Sequence, residues 1–193
     1  STGEPDCNGL ELFDVIDAVQ YARTYYRDYI IDPEVVYFEA ESGGGGNGLA
    51  LIGKFPDFFS AATCLCGISD YAAWYDNDEI GEFRDEMDVW IGCSPEDNPM
   101  AYEARSGISI LPNLITPLFI AHGETDERVP VTHSREYIAR AKEIGKDKQI
   151  DDFIAITGTH LVRSLKETME KARRTPGLSG IQLLDIRDFP GQG

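Results

Sequence analysis

Between Val35 and Gly48 the chain passes from an apolar strand pattern straight into a serine and a glycine cluster, Tyr37-Phe38-Glu39-Ala40-Glu41-Ser42-Gly43-Gly44. Few folds use such a junction. A strand that ends on Ser42, followed by a helix, predicts a strained turn that lifts the serine oxygen clear of a sheet. The small neighbours Ala40, Gly43 and Gly44 suit that turn, because it brings backbone close to backbone. The N–H of Gly43 would point to the same place and could stabilise an oxyanion. Glycine-rich turns also serve other ends. Gly43, Gly45 and Gly48 satisfy G-x-G-x-x-G after a strand, and Asp70 follows at the distance of a ribose-binding acid. That outline is a dinucleotide-binding turn and stands as a rival. A phosphate-binding P-loop is excluded, since no Gly-Lys-Ser/Thr follows.

The surrounding pattern alternates helix and strand, which predicts an α/β domain with a mainly parallel sheet. Helical spacing runs from about residue 10 to 29, through Leu12, Phe13, Ile16, Val19 and Tyr26. Strands are expected at 35–39, 62–68, 118–121 and 153–156, and helices at 49–54, 132–144 and 161–174. Thr132 is the expected N-cap of its helix. Residues 70–116 form a long connection that must be partly helical. The expected division is a catalytic domain over 1–175 and a tail over 176–193.

Composition sets further bounds. The chain has 193 residues and a formal net charge of -17. So acidic a surface repels phosphate backbones, which argues against nucleic acid as a partner. No apolar run is long enough to span a bilayer, so no membrane partner is expected. Cys64 and Cys66 are placed on one face of a strand, without zinc-ligand spacing to any histidine. Free thiols lean toward a reducing, cytoplasmic compartment.

An activated serine needs a base, and the chain has three histidines. His122 ends the third strand, His133 opens a helix, and His160 follows the fourth strand. Each taken alone could serve packing. The order Ser42, then an acid after a later strand, then His160, is the chain order of α/β-hydrolase triads. Asp126 is a candidate acid, with Glu124 and Glu127 as nearby alternatives.

The whole set resembles the catalytic domain of the prolyl oligopeptidase family of serine hydrolases. Ser42-Gly43-Gly44-Gly45 with Lys54-Phe55-Pro56-Asp57 is similar to that family's serine turn and the helix after it. Ser94-Pro95-Glu96-Asp97-Asn98-Pro99, with Tyr102, Arg105 and Ser106, is similar to its segment before the acid-bearing strand. His122-Gly123 through Asp126 to Val129-Pro130 resembles its acid loop, and Gly158-Thr159-His160 its histidine loop. The resemblance covers about residues 9–172. It implies Ser42 as nucleophile, Asp126 as orienting acid, His160 as base and Gly43 as an oxyanion donor. It implies no cofactor and no metal, and an ester or peptide substrate. Tyr71, Trp74, Tyr75, Phe83 and Trp90 are candidates to wall its pocket.

Two departures stand out. Ala40 replaces the family's usual glycine. Family members carry several strands before the helix that precedes the serine turn, whereas little more than one helix and one strand precede Ser42 here, so the strand before Ser42 is expected to form an edge. A missing N-terminal segment, or another chain, would complete the sheet. A hydrolase-like domain without activity, serving structure or assembly, is the other expectation open at this point.

Overall fold

The computed structural model describes residues 6–78 and 81–155. His160, the expected helix over 161–174 and the tail lie outside them. The elements alternate as anticipated: α1 Leu12–Tyr25, β1 Tyr37–Glu41, α2 Ser42–Lys54, β2 Ala61–Leu65, then a run of short helices. These are α3 Tyr71–Asn77, α4 Arg84–Ile91, α5 Pro99–Glu103 and α6 Gly107–Ile110. β3 Leu118–Gly123, α7 Thr132–Glu143 and β4 Ile150–Ala155 follow. The fold is α/β, with helices flanking a parallel sheet.

The sheet runs β1-β2-β3-β4. Its register aligns Phe38 with Ala62 and Ala62 with Leu118, then Ala40 with Cys64 and Cys64 with Ile120. Alternation therefore gathers these side chains on one face. There the main core packs Leu49, Ala50, Leu51 and Ile52 of α2 with Tyr137, Ile138 and Ala141 of α7. A second cluster unites Ile68, Tyr71, Trp74, Met87, Tyr102 and Val129 beneath the connection between β2 and β3. Among the described residues β1 is an edge strand. Its Tyr37 is 74% exposed.

Several boundaries differ from the sequence reading, for physical reasons. α2 starts at Ser42 rather than near Leu49. Four glycines open it, although glycine is a poor helix former. Close packing accounts for Gly45 and Gly46, and for Gly48 one turn on: a β carbon on Gly45 would lie 2.8 Å from Cα of Gly67, one on Gly46 2.7 Å from the Tyr71 hydroxyl, and one on Gly48 2.4 Å from the Phe38 ring, whereas Gly43 and Gly44 meet no such contact. Cys66 lies past the end of β2 with φ 40°, so it does not share a strand face with Cys64. Thr132 is the first residue of α7, and no side-chain cap precedes it. The connection over 70–116 is mostly helical. Asp70 caps α3, accepting from the N–H groups of Ala72 and Ala73, and Asn98 caps α5 through Ala101 N–H.

Candidate active site

β1 ends at Glu41 and α2 begins at the next residue. Ser42 bridges them with φ 53°, in the left-handed region that costs an L-residue about 1–2 kcal/mol. No loop softens this turn. The conformation holds because both flanking elements are fixed: β1 by its ladder to β2, and α2 by its buried face. Ser42 is exposed. Gly43 lies in the first turn of α2, where N–H groups have no intrahelical acceptor. The Ala40 substitution is accommodated. A β carbon on Gly44 would stand 3.5 Å from that of Ala40, an ordinary contact.

Parallel strands bring their carboxyl ends to one edge of a sheet, where ligands of α/β folds bind. Glu41 pairs with Leu65, and Leu65 with Ala121. The residues after β1, β2 and β3 therefore emerge together. Cys66, the first residue after β2, lies at this edge, and its thiol pKa is raised, chiefly by burial.

Asp126 is positioned by its own loop. Oδ1 accepts from the N–H groups of Arg128 at 3.0 Å and Val129 at 2.9 Å. Oδ2 lies 3.8 Å from Nε2 of His122. His122 is buried and bonded at both ring nitrogens. Nε2–H donates to the carbonyl of Val129 at 2.7 Å, so Nδ1 accepts from the Ser134 hydroxyl, also at 2.7 Å. Burial lowers its pKa. A neutral imidazole locked this way braces the acid loop and has no nitrogen left for a serine. His133 is also buried, and burial lowers its pKa to about 4. It lies in the first turn of α7, where its backbone carbonyl accepts from the Ser69 hydroxyl at 2.8 Å, and its two ring nitrogens are buried with no hydrogen-bond partner among the described residues. Of the neighbouring acids, Glu124 pairs with Arg135 at 2.7 Å, and Glu127 is exposed.

The dinucleotide reading of the glycines fares less well. Gly45 and Gly48 are needed for helix–sheet contact, and the Asp70 carboxylate caps α3. The aromatic candidates divide. Tyr71, Trp74 and Trp90 line a cavity that also touches Gly43. Phe83 stacks behind Trp74 at 4.6 Å, and Tyr75 meets Tyr102 edge-on at 5.8 Å. The sequence reading missed Asn8 and Glu11, which also line that cavity. Only their place just ahead of the first helix hinted at them.

Comparison with known proteins agrees with this layout. Residues 2–175 match the model of the prolyl oligopeptidase family. An uncharacterized peptidase, YuxL, of Bacillus subtilis is 30% identical over 77% of this chain and 22% of its own length. The esterase LipQ of Mycobacterium tuberculosis is 27% identical over 69% of this chain and 34% of its own. The chain thus spans between about a fifth and a third of the length of these relatives. The solved acylaminoacyl peptidase of Pyrococcus horikoshii superposes with a TM-score of 0.68 at 22% identity. That match covers 92% of this chain and 30% of the other, and it speaks for the fold. With nearly its whole length matched by the family's model, and with its serine turn and acid loop at one edge of a parallel sheet, the chain belongs to the prolyl oligopeptidase family.

Proposed function

We propose that this domain is a serine hydrolase that cleaves ester or peptide bonds through an acyl-enzyme. One observation carries the reading: Ser42 is held exposed at φ 53° between β1 and α2, on the sheet edge that also bears Asp126. In the proposed cycle His160 takes the proton from the Ser42 hydroxyl as Oγ attacks the substrate carbonyl. Gly43 N–H helps to hold the oxyanion. The imidazolium then protonates the leaving group, and Asp126 stabilises it. Water, activated by the same base, releases the acid and restores the serine. His122 has both ring nitrogens engaged and His133 is buried, which supports His160 as the base. Membership of a family whose relatives are named peptidase and esterase supports both bond types equally.

The exposed edge of β1 supports a second part of the reading. Parallel strands are ordinarily buried within a sheet. A further strand, from sequence beyond these residues or from another chain, would pair with β1 and complete the domain.

Labelling with a fluorophosphonate probe tests the proposal. Activated Ser42 reacts, and Ser42→Ala and His160→Ala each abolish the label. A folded protein that never labels, or that labels equally after Ser42→Ala, overturns it and leaves an inactive structural domain as the better reading.

A further inference from the structure

Beside the serine turn lies a cavity of about 410 Å³, within the range of small-ligand pockets. Gly43, Asn8, Glu11, Tyr71, Trp74 and Trp90 line it. A β carbon at position 43 would meet nothing within 4 Å, so the space beside Gly43 is open. The pocket therefore begins at the proposed oxyanion donor.

Its polar groups are one-sided. Asn8 is 1% exposed. Its Nδ2 donates to the carbonyls of Arg105 at 2.5 Å and Gly46 at 3.4 Å. Two carbonyl partners fix which end of the amide is nitrogen. Oδ1 is left buried with no hydrogen-bond partner among the described residues. Buried acceptors are rarely unpaired, so this one calls for a donor. Glu11 supplies a second acceptor. One of its oxygens accepts from the Asn8 N–H at 2.8 Å, and the carboxylate is half-buried. The field there is acidic: burial and then Glu11 push the Cys7 thiol up to about 12, and Arg105 opposes them more weakly. Arg105 itself is committed to the carbonyls of Asp6 and Ala101. The aromatic walls favour a cation as well, because ring faces attract positive charge. The net charge of -17 draws cations toward the protein.

We propose that this pocket takes the cationic head of a lysine- or arginine-like chain on the acyl side of the substrate, with Asn8 Oδ1 and Glu11 accepting its N–H groups. The aromatic rings enclose the methylene stem. This rests on the reading of Ser42 as nucleophile, and its test is built to separate the two.

The only tryptophans of this chain, Trp74 and Trp90, both line the cavity, so their fluorescence reports on it. Titration with n-butylammonium and n-butylguanidinium should give a saturable change that the uncharged n-butanol does not. Glu11→Gln keeps an acceptor oxygen but removes the charge, and should weaken that response about tenfold or more. In turnover, matched lysine and norleucine esters should differ at least tenfold in kcat/KM, and Glu11→Gln should bring the ratio toward one. Equal responses to butylammonium and butanol, or a response that Glu11→Gln leaves unchanged, overturn the proposal. Fluorophosphonate labelling is run on the same samples. Cation binding without labelling would retain the pocket and reject the nucleophile, and labelling without cation preference would do the reverse.

Discussion

Gly45 of α2 and Gly67 after β2 meet backbone to backbone. A β carbon on Gly45 would stand 2.8 Å from Cα of Gly67, and one on Gly67 2.9 Å from the carbonyl carbon of Gly45. Neither side has a flexible end that can yield. Gly45→Ala should therefore cost about 1–3 kcal/mol as an overpacked contact, although alanine is the better helix former. Gly43→Ala, which meets nothing within 4 Å, should leave stability unchanged or raise it by up to about 1 kcal/mol. Urea denaturation of the two variants checks the contrast, and equal stabilities would refute the packing role.

Strain at the serine gives a second expectation. Ser42→Ala and Ser42→Gly should both lose fluorophosphonate labelling. Only glycine relieves a φ of 53°. The glycine variant should be the more stable of the two by about 1 kcal/mol. The same denaturation experiment, read between these two variants, decides it.

Asp70 caps the helix that carries two walls of the aromatic pocket. Its Oδ1 accepts from Ala72 N–H at 3.0 Å and Ala73 N–H at 3.1 Å, fixing the start of the helix that carries Tyr71 and Trp74. Asp70→Ala should cost about 1 kcal/mol, as N-cap losses do, and Asp70→Asn much less. In turnover the loss should fall on KM more than on kcat, because the pocket is displaced and the serine is not. A dinucleotide role for Asp70 would instead leave stability untouched and abolish NAD binding.

Much of this was legible in the sequence because the signals were local. A strand pattern ending on Ser42 and glycines at fixed offsets follow from periodicity and turn chemistry, while the choice of Asp126 after the third strand comes from the family resemblance. The helical start at Ser42 was not legible, because propensity speaks against a run of glycines, and the close contacts of Gly45 with Gly67 and of Gly48 with Phe38 and Cys64 come from distant parts of the chain. Thr132 resembled a cap by residue type, yet its helix begins without one. The pocket wall at Asn8 and Glu11 depends on a contact to Arg105, 97 residues away, which no local pattern encodes.

The buried histidines make stability depend on pH. His133 has its folded pKa lowered to about 4, and its ordinary value is 6.5. Burial causes this, and the carboxylates of Asp70 and Asp126 offset it only in part. The unfolded chain binds the proton more readily, so this stability is complete above pH 6.5 and lost as pH falls from there toward 4. The loss amounts to about 3 kcal/mol for a shift of that size. His122, shifted in the same direction, adds to it. Denaturation midpoints should fall steadily across this window. His133→Leu should flatten the profile, and a variant as pH-dependent as the parent would rule His133 out as the source.

Asp126 offers the sharpest division between holding a loop and supplying a charge. Its Oδ1 organises the turn through two N–H groups, at 3.0 and 2.9 Å, while Oδ2 faces the buried His122. Asp126→Asn preserves an oxygen for those N–H groups but cannot stabilise an imidazolium. It should fold nearly as well as the parent and lose two to four orders of magnitude in ester turnover. Asp126→Ala should lose the turn as well, at a further cost of about 1–3 kcal/mol in stability. Glu124→Gln, which removes only an exposed pair with Arg135, should change stability by less than about 1 kcal/mol and leave turnover intact. Turnover and urea midpoints measured on all three variants separate the two roles. If Glu124→Gln rather than Asp126→Asn silences the enzyme, Glu124 and not Asp126 is the acid that stabilises the imidazolium.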